Sequence, residues 1–403
     1  MCHLASNSTF AAAPEHTPRM RLHVQQLTTL AATDAAAWNA LAGDSPFLRH
    51  EFLWALERSR CVGEGTAWQP CYLVAHDEHG LCGAMPLYIK YDSHGEFVFD
   101  WSWADAYERG GRAYYPKLVA AIPFTPATGQ RLLLRPGVTG DVATALLNGA
   151  RQVAADIGAS SLHVLFPTDP ERQLLEQAGL LTRKGCQFHW ENAGYVNFDD
   201  FLARFSSEKR KKAKRERRRV QEAGVVFEHL RGDEPTAADW DAITEFYSRT
   251  FLRRGREPYL NREFFAAIAA TMPSNLLVIL ARHQGTPIAA AICFRSSTTL
   301  YGRYWGSLAD FHSLHFETCY YQGIEYCIRE RLERFEPGTQ GEHKIARGFT
   351  PRPTWSCHWL KDADFQAAVG AFLKRETSHV DAYMDEMDEH VPYRSIPFDG
   401  ARA

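Results

Sequence analysis

Nine cysteines occur in the 403 residues, yet no two are spaced C-x-x-C and the number is odd. A disulfide framework or a ribbon-type zinc site needs paired spacings, so neither is expected, and the thiols fit a reducing cytoplasm. Metal-like spacings are confined to Cys186-x-x-His189 and His312-x-x-His315-x-Glu317. Neither reaches four ligands, so no metal is expected. No apolar run approaches the ~18–20 residues of a membrane-spanning helix. The first twenty residues lack a basic start, an apolar stretch of about 7–15 residues and a small-residue cleavage site. They read as a disordered tail (residues 1–20), or as an over-extended start with Met20 the true one. G-x-S-x-G is absent and no Ser/His/Asp or Cys/His set stands out, which argues against covalent acyl-enzyme chemistry.

What the chain does have is enough apolar material, 45% against 23% charged, to build cores without staples. Single cores stop growing near ~250–300 residues, so two domains sharing an interface are expected, residues 21–200 and 201–403. In the first, a strand at Arg21–Leu27 and two helices, broken at Ser45-Pro46, precede strands at Cys71–His76, Cys82–Tyr91 and Phe97–Trp101, read as an antiparallel meander. A helix at Asp141–Ile157, a strand at Ser161–Phe166, a short helix and a strand through Lys184–Trp190 follow. The second half repeats this order. After a basic helix and the strand Val225–His229 come helices at Ala237–Arg253 and Asn261–Met272 and strands at Leu276–His283, Pro287–Arg295 and Thr299–Trp305. A long helix spans Phe316–Glu333, and a final amphipathic helix carries Phe365, Val369, Phe372, Val380, Tyr383 and Met387. Two copies of helix–helix–meander–helix–strand imply two packed α/β (α+β) units with mostly antiparallel sheets.

Charge is unevenly spread. The formal net charge is −3, but residues 209–219 hold nine Lys/Arg and one Glu, or +8, leaving −11 for the rest. This run has no Gly or Pro and begins with a serine pair suited to capping, so it reads as a surface helix. Lys211, Lys212, Arg215 and Arg219 are candidates for holding a phosphate-bearing substrate. Aromatic interleaving is absent, which disfavours single-strand reading. At the exit of the first meander, Trp101, Trp103, Asp105 and Tyr107 offer aromatic platforms with a carboxylate for an acceptor. Tyr304 and Trp305 stand at the corresponding place in the second meander, which points to a cleft between domains. The densest chemistry lies in Phe335–Phe349, F-E-P-G-T-Q-G-E-H-K-I-A-R-G-F, where two turn glycines sit among acid, imidazole and cation.

These segments together resemble the FemAB-like branch of the GNAT N-acyltransferase superfamily, the peptidoglycan biosynthesis proteins. The marks are Phe99-Asp100-Trp101-Ser102-Trp103-Ala104-Asp105-Ala106-Tyr107, Tyr114-Tyr115-Pro116-Lys117-Leu118, Ser207-Glu208-Lys209-Arg210, and Glu336-Pro337-Gly338 through Arg347-Gly348-Phe349. The resemblance runs from about Met20 to Ile396. It implies tandem GNAT-like domains and transfer of an acyl or aminoacyl group, from acyl-CoA or aminoacyl-tRNA, to an amine such as a cell-wall precursor. It also implies that Lys344 lies near the transferred group. Arg303-Tyr304-Trp305-Gly306 supplies one arginine and one glycine where acetyl-CoA users carry a fuller turn. No helical-hairpin arm of the kind found in tRNA-using relatives follows the basic helix.

Acyl transfer to an amine needs a base, a stabilised oxyanion and a held donor. Glu317, Glu336, Glu342 and His343 are candidate bases, and Lys344 and Arg347 candidates for the oxyanion or phosphate charge. Arg303 and Arg347 join the basic helix as donor-binding candidates. No permanently bound cofactor is expected. Two rivals remain: a catalytically inactive pair whose basic helix meets RNA or an anionic membrane surface, and a hydrolase with zinc at His312, His315 and Glu317.

Overall fold

The computed structural model describes residues 22–394 apart from 139, 309, 310 and 340, so the expected tail lies outside the described residues. Four strands, His23–Leu27, Tyr72–Asp77, Gly80–Met85 and Leu133–Leu134, form a small antiparallel sheet. Eleven more form one continuous sheet. Its spatial order is Val225–Arg231, Leu276–His283, Thr286–Arg295, Thr299–Ser307, Arg334–Glu336, Leu181–Glu191, Thr350–Leu360, Ser161–Leu165, Lys117–Ala120, Leu87–Lys90 and Trp68–Pro70. Neighbours are antiparallel except Thr299–Ser307 with Arg334–Glu336 and Lys117–Ala120 with Ser161–Leu165. The architecture is therefore the mixed, mostly antiparallel α/β (α+β) arrangement expected.

The order of strands crosses residue 200 without a break. Leu181–Glu191 lies between two strands of the second half, and Thr350–Leu360 lies between two strands of the first. The helices reinforce this. Phe52, on the helix His50–Arg58, meets Phe264 and Phe294 with ring centroids 5.6 and 5.5 Å apart, so one apolar core draws on both halves.

Three elements differ from their sequence reading. Phe97–Trp101 is not a strand. Phe97 takes φ 61°, and the helix Trp101–Arg109 begins where the alternation suggested extended chain. The strand expected over Cys82–Tyr91 is split at Pro86, which has no N–H for a ladder. The helix expected over Phe316–Glu333 carries a π-turn at Glu317–Tyr321 before regular helix resumes at Gln322–Arg329. Such turns widen a helix locally and recur at functional sites.

The basic helix is Ser207–Glu222. Lys, Arg, Ala and Glu favour helix, and Ala213, Glu216 and Val220 supply a narrow buried stripe at spacings of three and four.

At Gly306 the strand Thr299–Ser307 passes against the helix Ala237–Leu252 so closely that a Cβ would lie 1.8 Å from the Phe246 carbonyl oxygen. Gly306→Ala must push that helix off the sheet. The expected loss is about 3 kcal/mol, the upper end for overpacking, read by urea denaturation. A loss below about 0.5 kcal/mol contradicts the contact.

Candidate active site

After Arg334–Glu336 the chain turns through Pro337-Gly338 and enters the short 3-10 helix Glu342–Arg347. Gly341 makes this entry, at φ 106°, where a Cβ would also lie 2.1 Å from the His343 ring. The turn drives Lys344 inward until it is 1% exposed. Its Nζ donates to the Gly338 carbonyl at 2.6 Å, and among the described residues no carboxylate pairs with it. Burial, with the Arg303 charge adding to it, pushes the amine down from 10.5 to about 7.

Lys344 lies on the wall of a cavity of about 350 Å³ between the two halves. The first half contributes Ser93, His94, Phe97, Phe99 and Trp101, and the second Phe251, Arg254, Arg256, Tyr259 and Arg303. Among the described residues that line this space, four are cations and none is a carboxylate. Arg303 donates from Nη2 to the Phe124 carbonyl at 2.8 Å, while its Nε is buried without a partner. His94 is oriented by Asp92, its Nδ1 3.3 Å from Oδ2, and its ring stands edge-on to Trp101 with centroids 5.0 Å apart.

The loop that presents His94 is tied down by a buried ionic cluster. Lys117 Nζ donates to Ser93 Oγ and Glu96 Oε2, both at 2.8 Å, and to Asp100. Tyr114 adds a 2.6 Å bond to Asp100 and reaches His163, which meets His358 at 2.7 Å. Burial opposes charge on all of these. It pushes Glu96 up to about 7 and His163 down to about 3, whereas Lys117 outweighs it at Asp100 and holds that carboxyl well below its usual range.

Of the residues singled out from the sequence, Lys344, Arg303 and Trp101 meet in this cavity. Arg347 is engaged elsewhere. It donates to the His343 carbonyl at 2.6 Å and to Glu216 at 2.7 Å, with its guanidinium 3.4 Å from the Phe316 ring centroid. Glu216 also accepts from Tyr321 at 2.6 Å, so the basic helix clamps the turn that carries Lys344.

The four candidate bases are scattered. Glu317 is buried against Arg217 and Gln322, where burial raises it against the pull of Arg217. Glu336 is buried with Oε2 unpartnered, and burial pushes it up to about 7. Glu342 accepts from Tyr383 and His343 bonds Tyr320, both on the outside.

Trp103 and Tyr107 pack in a core cluster with Tyr114 and Leu373, whereas Asp105 is exposed and paired with Arg109. Tyr304 packs on Tyr247 and Trp305 on His315. Lys211, Lys212, Arg215 and Arg219 are all exposed; Arg219 bonds His312, and the other three have no partner among the described residues. Sequence reasoning missed His94, Arg254 and Arg256. The only signal for the arginines was the run Arg253-Arg254-Gly255-Arg256.

Two measurements follow from these charges. Lys344 binds its proton more weakly folded than unfolded, so the folded state loses stability as pH falls from 10.5 through 7 and loses no more below that. Lys344→Met is expected to be more stable than the parent at pH 6, by on the order of 4 kcal/mol. The gain fades toward pH 10.5, and denaturant titrations across that range check both ends. Glu216→Ala leaves Arg347 buried and uncompensated at a cost of about 3–5 kcal/mol. Lys211→Ala on the same helix stays within about 0.5 kcal/mol.

No protein with a curated description matches the sequence. Among solved structures, FemX matches with a TM-score of 0.52 at 10% identity, covering 86% of this chain and 100% of FemX. The C-terminal domain of a putative lysylphosphatidylglycerol synthetase from Agrobacterium fabrum gives 0.49 at 14% identity, covering 83% and 94%. A tandem GNAT protein from the clavulanic acid biosynthesis pathway gives 0.43 at 12%, covering 84% and 98%. The likeness to FemX is one of fold. Among the described residues no helix is long and apolar enough to cross a membrane. The profile of the FemAB-like family, described as peptidoglycan biosynthesis/recognition, matches residues 29–395, and the chain belongs to that family.

Proposed function

We propose that this FemAB-like acyltransferase carries an acyl or aminoacyl group from acyl-CoA or aminoacyl-tRNA to the amine of a cell-wall precursor, working in the cytoplasm, with Lys344 at the reacting carbonyl. The observation that supports this is a buried ammonium with one carbonyl partner, held on the wall of a cavity between the halves. Such a group is free to meet charge that develops during a reaction. The amine attacks the donor carbonyl, and negative charge gathers on its oxygen beside Lys344. His94 takes the proton the nitrogen sheds, its ring oriented by Asp92. The carbon–sulfur or carbon–oxygen bond to the carrier then breaks, and the leaving atom takes a proton from Lys344. The exposed cations of Ser207–Glu222 draw in the phosphates of the donor. They expose no apolar side chain for insertion into lipid, which favours a phosphate-bearing carrier over a membrane surface.

Thermal unfolding with acetyl-CoA or an aminoacyl-tRNA identifies the donor, since saturation at ~100 Kd adds about 2.7 kcal/mol. With that donor, Lys344→Met is expected to lower kcat by about 100- to 1000-fold with KM nearly unchanged. His94→Gln should lower it by about 100-fold. Because the Lys344 proton leaves near pH 7, kcat/KM falls as pH rises above that value. Unchanged turnover in Lys344→Met removes the lysine from the mechanism, and a rise of kcat/KM above pH 7 that Lys344→Met abolishes makes it the base instead.

A further inference from the structure

A second cavity, of about 310 Å³, shares Phe97, Phe99 and Thr339 with the one at Lys344. Residues of the joined strands Leu181–Glu191 and Thr350–Leu360 form one side of it, and Glu376 and Val380 of the helix Ala363–Glu389 border another. Phe97, Phe99, Phe166, Cys186, Trp355 and Val380 supply apolar surface. Both cations of the wall are neutralised. Arg183 donates to the two Glu376 oxygens at 2.8 and 2.7 Å, and Lys184 pairs with Asp381. Gln187 and Ser356 are bonded within the protein, to the Pro126 carbonyl at 3.0 Å and to His358 at 2.8 Å. Two of the phenylalanines hold a left-handed backbone, Phe97 at φ 61° and Phe166 at φ 55°. Bulky side chains rarely adopt that conformation, and such strain concentrates where a ligand is held.

We propose that this second cavity seats the apolar chain of the transferred acyl group, which reaches it from the carbonyl at Lys344 past Phe97, Phe99 and Thr339. The proposal deepens the acyl-transfer reading and rests on it for the identity of the group that enters. The carriers, coenzyme A or tRNA, are anionic, and a cell-wall precursor is polar. An apolar wall whose charges are already paired would strip water from such groups without replacing it. The hydrocarbon of an acyl group gains instead, by about fourfold in affinity for each methylene buried. Ligand cavities span ~300–1,000 Å³, so a space of about 310 Å³ suits a chain or a ring rather than a whole carrier. The preferred donor is therefore one with a medium-length or aromatic acyl group, and an acetyl group leaves this space unfilled.

Calorimetric titration of the full chain with the octanoyl and acetyl thioesters of N-acetylcysteamine, which carry no phosphate, tests the cavity apart from any carrier. The octanoyl thioester is expected to bind at least about 30-fold more tightly than the acetyl one. Val380 is half-buried on the bordering helix, so Val380→Trp fills the cavity from a position that tolerates the change. It is expected to cut the preference to below about threefold. Phe372→Trp lies exposed on the same helix and outside the cavity, and is expected to leave the preference within about twofold of the parent. Equal binding of the two thioesters, a preference that survives Val380→Trp, or an equal loss in Phe372→Trp overturns the proposal. A preference that Val380→Trp removes, in a protein that transfers from no donor, keeps the apolar seat and removes the acyl-transfer reading. Transfer that is equally fast from short and long acyl donors, without such a preference in binding, does the reverse.

Discussion

Nine residue pairs between Leu181–Glu191 and Thr350–Leu360 hold the two halves of this protein in one sheet. Each strand is flanked on its other side by the half to which the other belongs. Separating the halves would strip paired backbone groups in the middle of an eleven-stranded sheet, and buried backbone groups tolerate no such loss. The cavity between the halves is lined by neither of these strands but by what the joined sheet brings together. Its walls are the loop carrying His94, Phe97 and Phe99, the connection carrying Arg254 and Arg256, the strand residue Arg303 and the turn of Lys344.

The protein buries two lysines in opposite ways. Lys117 is surrounded by Glu96 and Asp100, and their charges raise its proton affinity in spite of burial. Its work is structural, since it anchors an irregular loop that has no ladder of its own. Lys344 is as deeply buried but has only a carbonyl to bond, and its proton affinity falls. A group kept uncompensated at such a cost marks a place where charge arrives during function. The clamp from Glu216 through Arg347 to the turn of Lys344 holds that group in place.

Much of the fold was legible in the chain because it rests on local signals. The strand–turn–strand runs at Leu276–His283 and Thr286–Arg295 carry their own turn, and the basic helix lacks any breaker. Phe97–Trp101 misled because its alternation is real, while the force that ends it, the capture of Asp100 by Lys117 and Tyr114, comes from residues distant in sequence. The site was legible at Lys344, Arg303 and Trp101, where the dense motif and the meander edges pointed. The carboxylates of the same stretch could not be sorted, since adjacent residues of a 3-10 helix face opposite ways: Glu342 and His343 outward, Lys344 inward. His94, Arg254 and Arg256 look like ordinary loop residues until the sheet brings their loops to one cavity.

The strand Thr350–Leu360 also imposes an order on synthesis. Ser161–Leu165 and Leu181–Glu191, made early, are not bonded to each other but only through this late strand. On a ribosome adding about 5–20 residues per second, the early half must wait with both strand edges open while the rest of the chain emerges. Its sheet closes only after residue 360 is free. During that interval the exposed edges are open to pairing with other chains, so the late strand works as the latch on a half-built domain.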